Sequence, residues 1–365
     1  MASQQQQQQQ QHRRQLGGSY RDRLSYICKE TKSYFGEIVE KLPQIKDYVR
    51  DTTFYTHSIP LPPISDGDKF VTRYRVIPGD TLDTALQLIE NEKCKPLVLN
   101  MASAFRPGGG WENGAMAQEE CLFYRSTYDL SLSDPLNFDP ERNWHYPIPF
   151  TGAIYSPNVY VFRGNPKLGF PVWDYKDCVF LDFIAVPAIR NPYVSEQNRL
   201  SYQDVSLTKK KIRTCLRVAH QNGHDTLLLG ALGCGAYHNP PEHIAELFCQ
   251  VLTEEEFHGR FKDVIFAILD GKNEQNYIIF KQAIEKLNDG KKFESYKGDT
   301  RRHTTTRQKQ SDRQTYRQAH HSDRMEQQGY ERTQEGTTQE ATQGTTHSDN
   351  NEEISAVRIE RRCSI

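Results

Sequence analysis

Apolar and polar positions divide this chain into a long patterned middle and two unpatterned ends. From about Asp22, apolar residues recur at Leu24, Ile27, Phe35, Ile38 and Val39, a spacing that predicts one or two helices ending near Leu42-Pro43. Residues 56–68 cluster prolines and read as loop. Strands and helices then alternate. A strand over 70–76 is followed by a helix through Leu82, Ala85, Leu86 and Ile89, capped by Asp80 or Thr81. Residues 95–101 form the next strand, and a helix follows from Ala115. After an irregular excursion over 129–151, strands are predicted at 153–162, 178–186, 226–232 and 264–269. Helices are predicted at 207–221, 241–252 and 277–287, and 187–207 reads as loop. Apolar strands flanked by helices have both sheet faces covered, which predicts an α/β sandwich.

The ends lack this pattern. Residues 1–17 are glutamine-rich and basic, and beyond Asp289 the chain is dominated by Gln, Thr, Arg, Glu, Ser and His. Neither stretch can bury enough apolar surface to offset the entropy of ordering it. The expected organisation is a disordered tail at 1–17, an accessory helical region at 18–68, an α/β domain at 69–288 and a disordered polar tail at 289–365.

Composition narrows the partners. Of 365 residues only 36% are hydrophobic, low for a compact chain and consistent with the two tails. The formal net charge of -1 argues against broad attraction to nucleic acid or anionic membranes, though a local basic pocket stays open. The basic stretch 291–324 would either engage a polyanion or solubilise the tail. Eight cysteines without close pairing, and without C-x-x-C or HExxH, predict free thiols in a reducing compartment and no zinc site. The first residues lack an apolar signal core and no stretch is long enough to span a bilayer. Cys363 stands third from the end, one place short of a prenylation motif, and is expected to be unmodified.

The chemistry concentrates in residues 99–127. A strand-like run leads into Arg106-Pro107-Gly108-Gly109-Gly110, then into a helix opening with Gln118-Glu119-Glu120. Three glycines are costly to order unless the backbone must pass very close to something or take positive φ. A second small-residue turn, Leu232-Gly233-Cys234-Gly235-Ala236, also follows a strand and precedes a helix, where backbone amides can converge on an anion. Neither turn is a Walker A loop and the first is not G-x-G-x-x-G, so recognition of a diphosphate is better supported than phosphoryl or hydride transfer. For Gly233 and Gly235, close helix–sheet packing is the competing reading. Asn100 at its strand end is either an amide contact to a ribose or a turn asparagine. Adjacent helical residues project about 100° apart, so Glu119 and Glu120 should not do the same job. The plainer alternative for both is a solvated acid pair in a first helical turn.

The spacing of Gly108-Gly109-Gly110, seven residues, then Gln118-Glu119-Glu120, together with YSPNVYVFR at 155–163 and LGALGCGAYHNP at 229–240, resembles the microbial-type poly(ADP-ribose) glycohydrolases over residues 20–288. The resemblance implies a macrodomain-like three-layer α/β/α sandwich with a mixed central sheet and an N-terminal helical extension. It implies hydrolysis of ribose–ribose O-glycosidic bonds, mainly exo, releasing ADP-ribose. Glu120 would be the general acid/base, Glu119 would position the ribose leaving group and Gln118 would support the loop. Burial and the charge of the substrate diphosphate are what would let Glu120 carry a proton. The substrate-binding set implied is Asn100, Gly108, Gly109, Gly110, Gln118, Asn158, Tyr160, Gly233, Cys234, Gly235, Ala236 and Tyr237. Asn158 and Tyr160 would lie near the adenosine half. Tyr237, where phenylalanine is often expected, would stack on the distal ribose. Arg106 would attract phosphate or face solvent. No cofactor or metal is implied. The partners would be poly(ADP-ribose) or ADP-ribosylated proteins and the ADP-ribose product, with no sequence-specific nucleic-acid binding, no membrane and a monomeric chain. The nucleus, the cytoplasm or both would suit that substrate. Two alternatives stay open: a mono-ADP-ribosyl or O-acyl-ADP-ribose hydrolase, and a non-catalytic ADP-ribose-binding module.

Overall fold

The computed structural model describes residues 19–63, 70–272 and 275–290. The expectations for 1–17, for 291–365 and for Cys363 lie outside them. Seven strands form one mixed sheet: β1 (Thr53–Tyr55), β2 (Arg73–Pro78), β3 (Leu97–Asn100), β4 (Ala153–Val161), β5 (Val179–Ala185), β6 (Thr226–Leu229) and β7 (Asp263–Ile268). Their order is β1-β4-β5-β3-β6-β7-β2. The five strands β5, β3, β6, β7 and β2 run parallel, while β4 is antiparallel to both of its neighbours.

The period-2 alternation of each strand divides the core. Leu97 and Leu99, Leu227 and Leu229, and Val264 and Phe266 face one side. That side is covered by α7 (Tyr202–Gln221), α8 (Pro241–Leu252) and α9 (Asn276–Asn288). Val98, Phe183, Leu228 and Ile265 face the other. There α1 (Tyr20–Ser33), α4 (Thr81–Glu92), α5 (Gln118–Arg125) and α6 (Tyr128–Ser133) pack. A third cluster joins α2 (Phe35–Lys41) and α3 (Ile45–Arg50) to Leu130, Tyr160 and Phe162. These are the three layers that the resemblance implies, and the fold is macrodomain-like.

The N-terminal region is part of this body. Strand β1 joins the sheet edge beside β4. Leu24 and Cys28 of α1 are buried in the same cluster as Val98, Trp111 and Phe123. The carbonyl of Arg21 closes so tightly on Gly114 (φ +71°) that a Cβ there would lie 2.2 Å from its oxygen. Arg163, buried against α1, ion-pairs with Glu30 and donates to Thr31 Oγ1 at 2.8 Å. Helix α1 thus backs the segment that follows the glycine run.

Three elements were not legible as pattern. Strand β1 has only three residues. In α6, Tyr128 to Leu132 are all buried, so the stretch read as an irregular excursion has no polar face to display a helical period. Helix α7 starts at Tyr202 rather than 207, because Ser201 accepts the backbone N–H of Asp204 and caps it there.

Candidate active site

Parallel strands aim their carboxyl ends at one edge of the sheet, and here the ends of β3, β5 and β6 open into loops 101–117, 186–201 and 230–240. The acid pair sits on that edge. Gln118, first residue of α5, clamps the helix to β3: its Oε1 accepts from the Met101 N–H at 3.0 Å and its Nε2 donates to the Leu99 carbonyl at 2.6 Å. Both ends of the amide are spent on backbone. Gln118 therefore braces the start of the helix against β3.

The clamp presents the two glutamates in different directions, as the 100° projection requires. Glu119 turns toward β3, accepting from the Ser103 N–H at 2.7 Å and from Asn100 Nδ2 at 3.3 Å. Glu120 turns toward the glycine run, accepting from the Gly110 N–H at 2.9 Å and the Ala117 N–H at 2.9 Å. Both are buried, at 5% and 8% exposure, so they are not a solvated first-turn pair. Burial, reinforced by the charge of Glu120 and partly offset by the Ser103 and Asn100 hydrogen bonds, pushes the Glu119 carboxyl up to about 8.

The glycines explain themselves at this point. Gly109 (φ +55°) crosses directly over the carboxylates: a Cβ there would lie 2.7 Å from Glu120 Oε1 and 3.0 Å from Glu119 Oε2. Gly108 (φ +67°) is pressed on Trp111 and Phe123, and a Cβ on Gly110 would meet that of Ala115 at 2.8 Å. The hydroxyl of Tyr124 fixes the turn from behind by donating to the carbonyls of Trp111 and Ala115, each at 2.8 Å.

The second turn lies alongside. Gly233 (φ +75°) packs on Ala188 and on Asn239, whose Nδ2 donates to the carbonyls of Ile189 (2.7 Å), Gly233 (3.1 Å) and Tyr237 (3.3 Å). Gly235 and Ala236 are exposed, Cys234 is half-buried, and nothing lies within 4 Å of the position a Gly235 Cβ would take. Tyr237 is half-buried beside Ser103 and both glutamates, and burial pushes its phenol up. Arg106 is exposed and, among the described residues, has no acidic partner.

Two sequence expectations do not survive the register. On β4, Asn158 lies in the bulge just before Val159, which pairs with Leu181, and Tyr160 pairs with Phe180, toward the start of β5, whereas Asn100 pairs with Ala185 at its end. Asn158 occupies a bulge (φ +49°) where Lys95 and Asp182 hold it, and Tyr160 is 3% exposed between Phe162 and Phe180. An antiparallel strand carries its later residues away from the site. Asn100 is fully buried and its Nδ2 donates to Glu119. Ser103 and Asn239 were missed, since a single backbone N–H and a lone asparagine leave no signature in sequence.

Fold and site together define a macrodomain-like α/β domain with a buried acid pair under a glycine turn. A model of the microbial-type poly(ADP-ribose) glycohydrolase catalytic domain matches residues 19–164. The chain is 28% identical to the poly(ADP-ribose) glycohydrolase of Thermomonospora curvata, with a TM-score of 0.58, covering 72% of this chain and 100% of that one. The same enzyme bound to the inhibitor ADP-HPD gives 27% identity and a TM-score of 0.56 over 72% of this chain and 99% of that one. No curated protein matches the chain by sequence. Residues 19–164 thus resemble the microbial-type poly(ADP-ribose) glycohydrolase catalytic domain, and the structural likeness to the Thermomonospora curvata enzyme extends over 72% of the chain.

Proposed function

We propose that this chain is a poly(ADP-ribose) glycohydrolase that cleaves the ribose–ribose O-glycosidic bond from accessible polymer ends and releases ADP-ribose. The observation that carries this reading is the pair of buried carboxylates held against the Gly109 backbone, so close that a Cβ there would lie 2.7 Å from Glu120 Oε1 and 3.0 Å from Glu119 Oε2. The diphosphate lies along the two glycine turns, with its negative charge against backbone N–H groups. Glu120 protonates the departing ribose oxygen as the anomeric C–O bond breaks. It then takes a proton from the water whose oxygen bonds to the anomeric carbon, so the acid is restored and one water is consumed. Glu119, protonated at neutral pH, holds the ribose on the strand side, and Tyr237 covers the sugar. The substrate is polymer free or attached to protein. Among the described residues no helix is long and apolar enough to cross a membrane.

The test is product analysis over time on polymer and on mono-modified protein with the unmodified chain and Glu120→Gln. The expected result is ADP-ribose release from polymer that falls by about 10²–10⁴-fold in the variant. Polymer binding without cleavage by the unmodified chain would leave only a binding module. Cleavage confined to mono-modified protein would make it a mono-ADP-ribosyl hydrolase, and full activity in Glu120→Gln would remove the assigned acid.

A further inference from the structure

Behind Glu119, on the sheet face covered by α5 and α6, three buried polar atoms make no hydrogen bond among the described residues: Asn100 Oδ1, Tyr128 Oη and Ser156 Oγ. The register brings them together. Asn100 pairs with Ala185 and Ser156 with Phe183, two residues along the same strand, so both side chains leave the same face. Tyr128 is fully buried and its ring meets Phe183 edge-on, with centroids 4.7 Å apart, and Phe123 at 5.1 Å. Asn100 and Ser156 are the polar side chains neighbouring its hydroxyl.

Packing does not account for that hydroxyl. A phenylalanine would keep both ring contacts, and it would spare the cost of burying a polar group without a partner. The amide of Asn100 is half spoken for, because Nδ2 faces the Glu119 carboxylate and Oδ1 points away from it. A phenol O–H is a donor and Oδ1 an acceptor, so the two unpaired atoms are complementary.

We propose that Tyr128 is a positioning residue for the acid pair, its hydroxyl donating to Asn100 Oδ1 so that the amide stays turned toward Glu119. This rests on the reading of Glu119 and Glu120 as the reacting pair. Donation into Oδ1 polarises the amide and strengthens the Nδ2–H that steadies the Glu119 carboxylate. The other titratable groups facing Glu119 are Glu120 on its own helix, Tyr237 from the second turn and the buried Tyr146. None of these contacts is altered by removing one oxygen from Tyr128.

The experiment is steady-state polymer hydrolysis across pH by Tyr128→Phe, Asn100→Ala, the double variant and Glu120→Gln, with thermal melting of each. Tyr128→Phe is expected to fold, to lose about 5- to 20-fold in kcat with KM within about twofold, and to move the alkaline limb of kcat to higher pH, as loss of a carboxylate-stabilising donor requires. In the Asn100→Ala background the same change is expected to have no further effect, because the two act in series. Unchanged kcat and pH profile in Tyr128→Phe would overturn the proposal, as would an effect that persists without Asn100 or a Tyr128→Phe chain that does not fold. Loss of activity in Glu120→Gln beside a normal Tyr128→Phe would sink this inference alone. Retained activity in Glu120→Gln would sink the reading beneath it.

Discussion

The two glycine turns look alike in sequence and are built for different tasks. At Gly108-Gly109-Gly110 every missing Cβ is occupied: by an aromatic pair, by the two carboxylates and by Ala115. At the second turn Gly233 is filled by Asn239 and Ala188, whereas Gly235 faces open space. The first turn needs glycine so that backbone can lie on the acids. The second needs one glycine to be stapled by Asn239 and leaves the other turned outward. A glycine's role is therefore set by what stands where its Cβ would be.

The sharpest way to break this comparison is at Gly109. Gly109→Ala adds a methyl at the carboxylates and a Cβ at φ +55°, and is expected to lower polymer hydrolysis by about 10²-fold or more through misplacement of the acids. Near-normal turnover in that variant would show that the backbone does not constrain the pair.

The burial of the pair predicts a pH effect on stability. Unfolded, Glu119 titrates near its ordinary 4.5, and folded it keeps its proton to about 8. Between those values the folded chain binds more protons than the unfolded chain, so stability falls as pH rises through that window and levels off above it. The expected loss is on the order of 5 kcal/mol, read by denaturant titration from pH 4 to 9. Glu119→Gln should flatten the slope; an equal slope in that variant would place the titrating group elsewhere.

Smaller effects separate the two glycines of the second turn. Gly233→Ala is expected to cost about 1–3 kcal/mol, since a Cβ would lie 2.5 Å from Asn239 Nδ2 and loosen the staple. Gly235→Ala should change stability by no more than about 0.5 kcal/mol, and any effect it has should appear in ADP-ribose affinity. Equal destabilisation by the two would erase the distinction drawn here.

Much of the site was legible because its parts are local. The glycine run and Gln118-Glu119-Glu120 lie within thirteen residues, so a strand, a turn and a helix start hold them together whatever the rest of the chain does. Asn158 and Tyr160 misled for the opposite reason. Their place depends on the direction of β4 in the sheet, and antiparallel pairing sends them toward the start of β5. Tyr128 was invisible because α6 is buried all round and shows no helical period.

The sequence by itself determined the alternation of strands and helices, the two small-residue turns and the presence of paired acids, since each is written in neighbouring residues and short-range backbone preference. Only the tertiary structure decided that both acids are buried, that Glu119 holds its proton toward pH 8 and that Asn100 is fully buried against Glu119. Burial and the electrostatics that follow from it are properties of surroundings, and those surroundings are assembled from strands and loops distant along the chain.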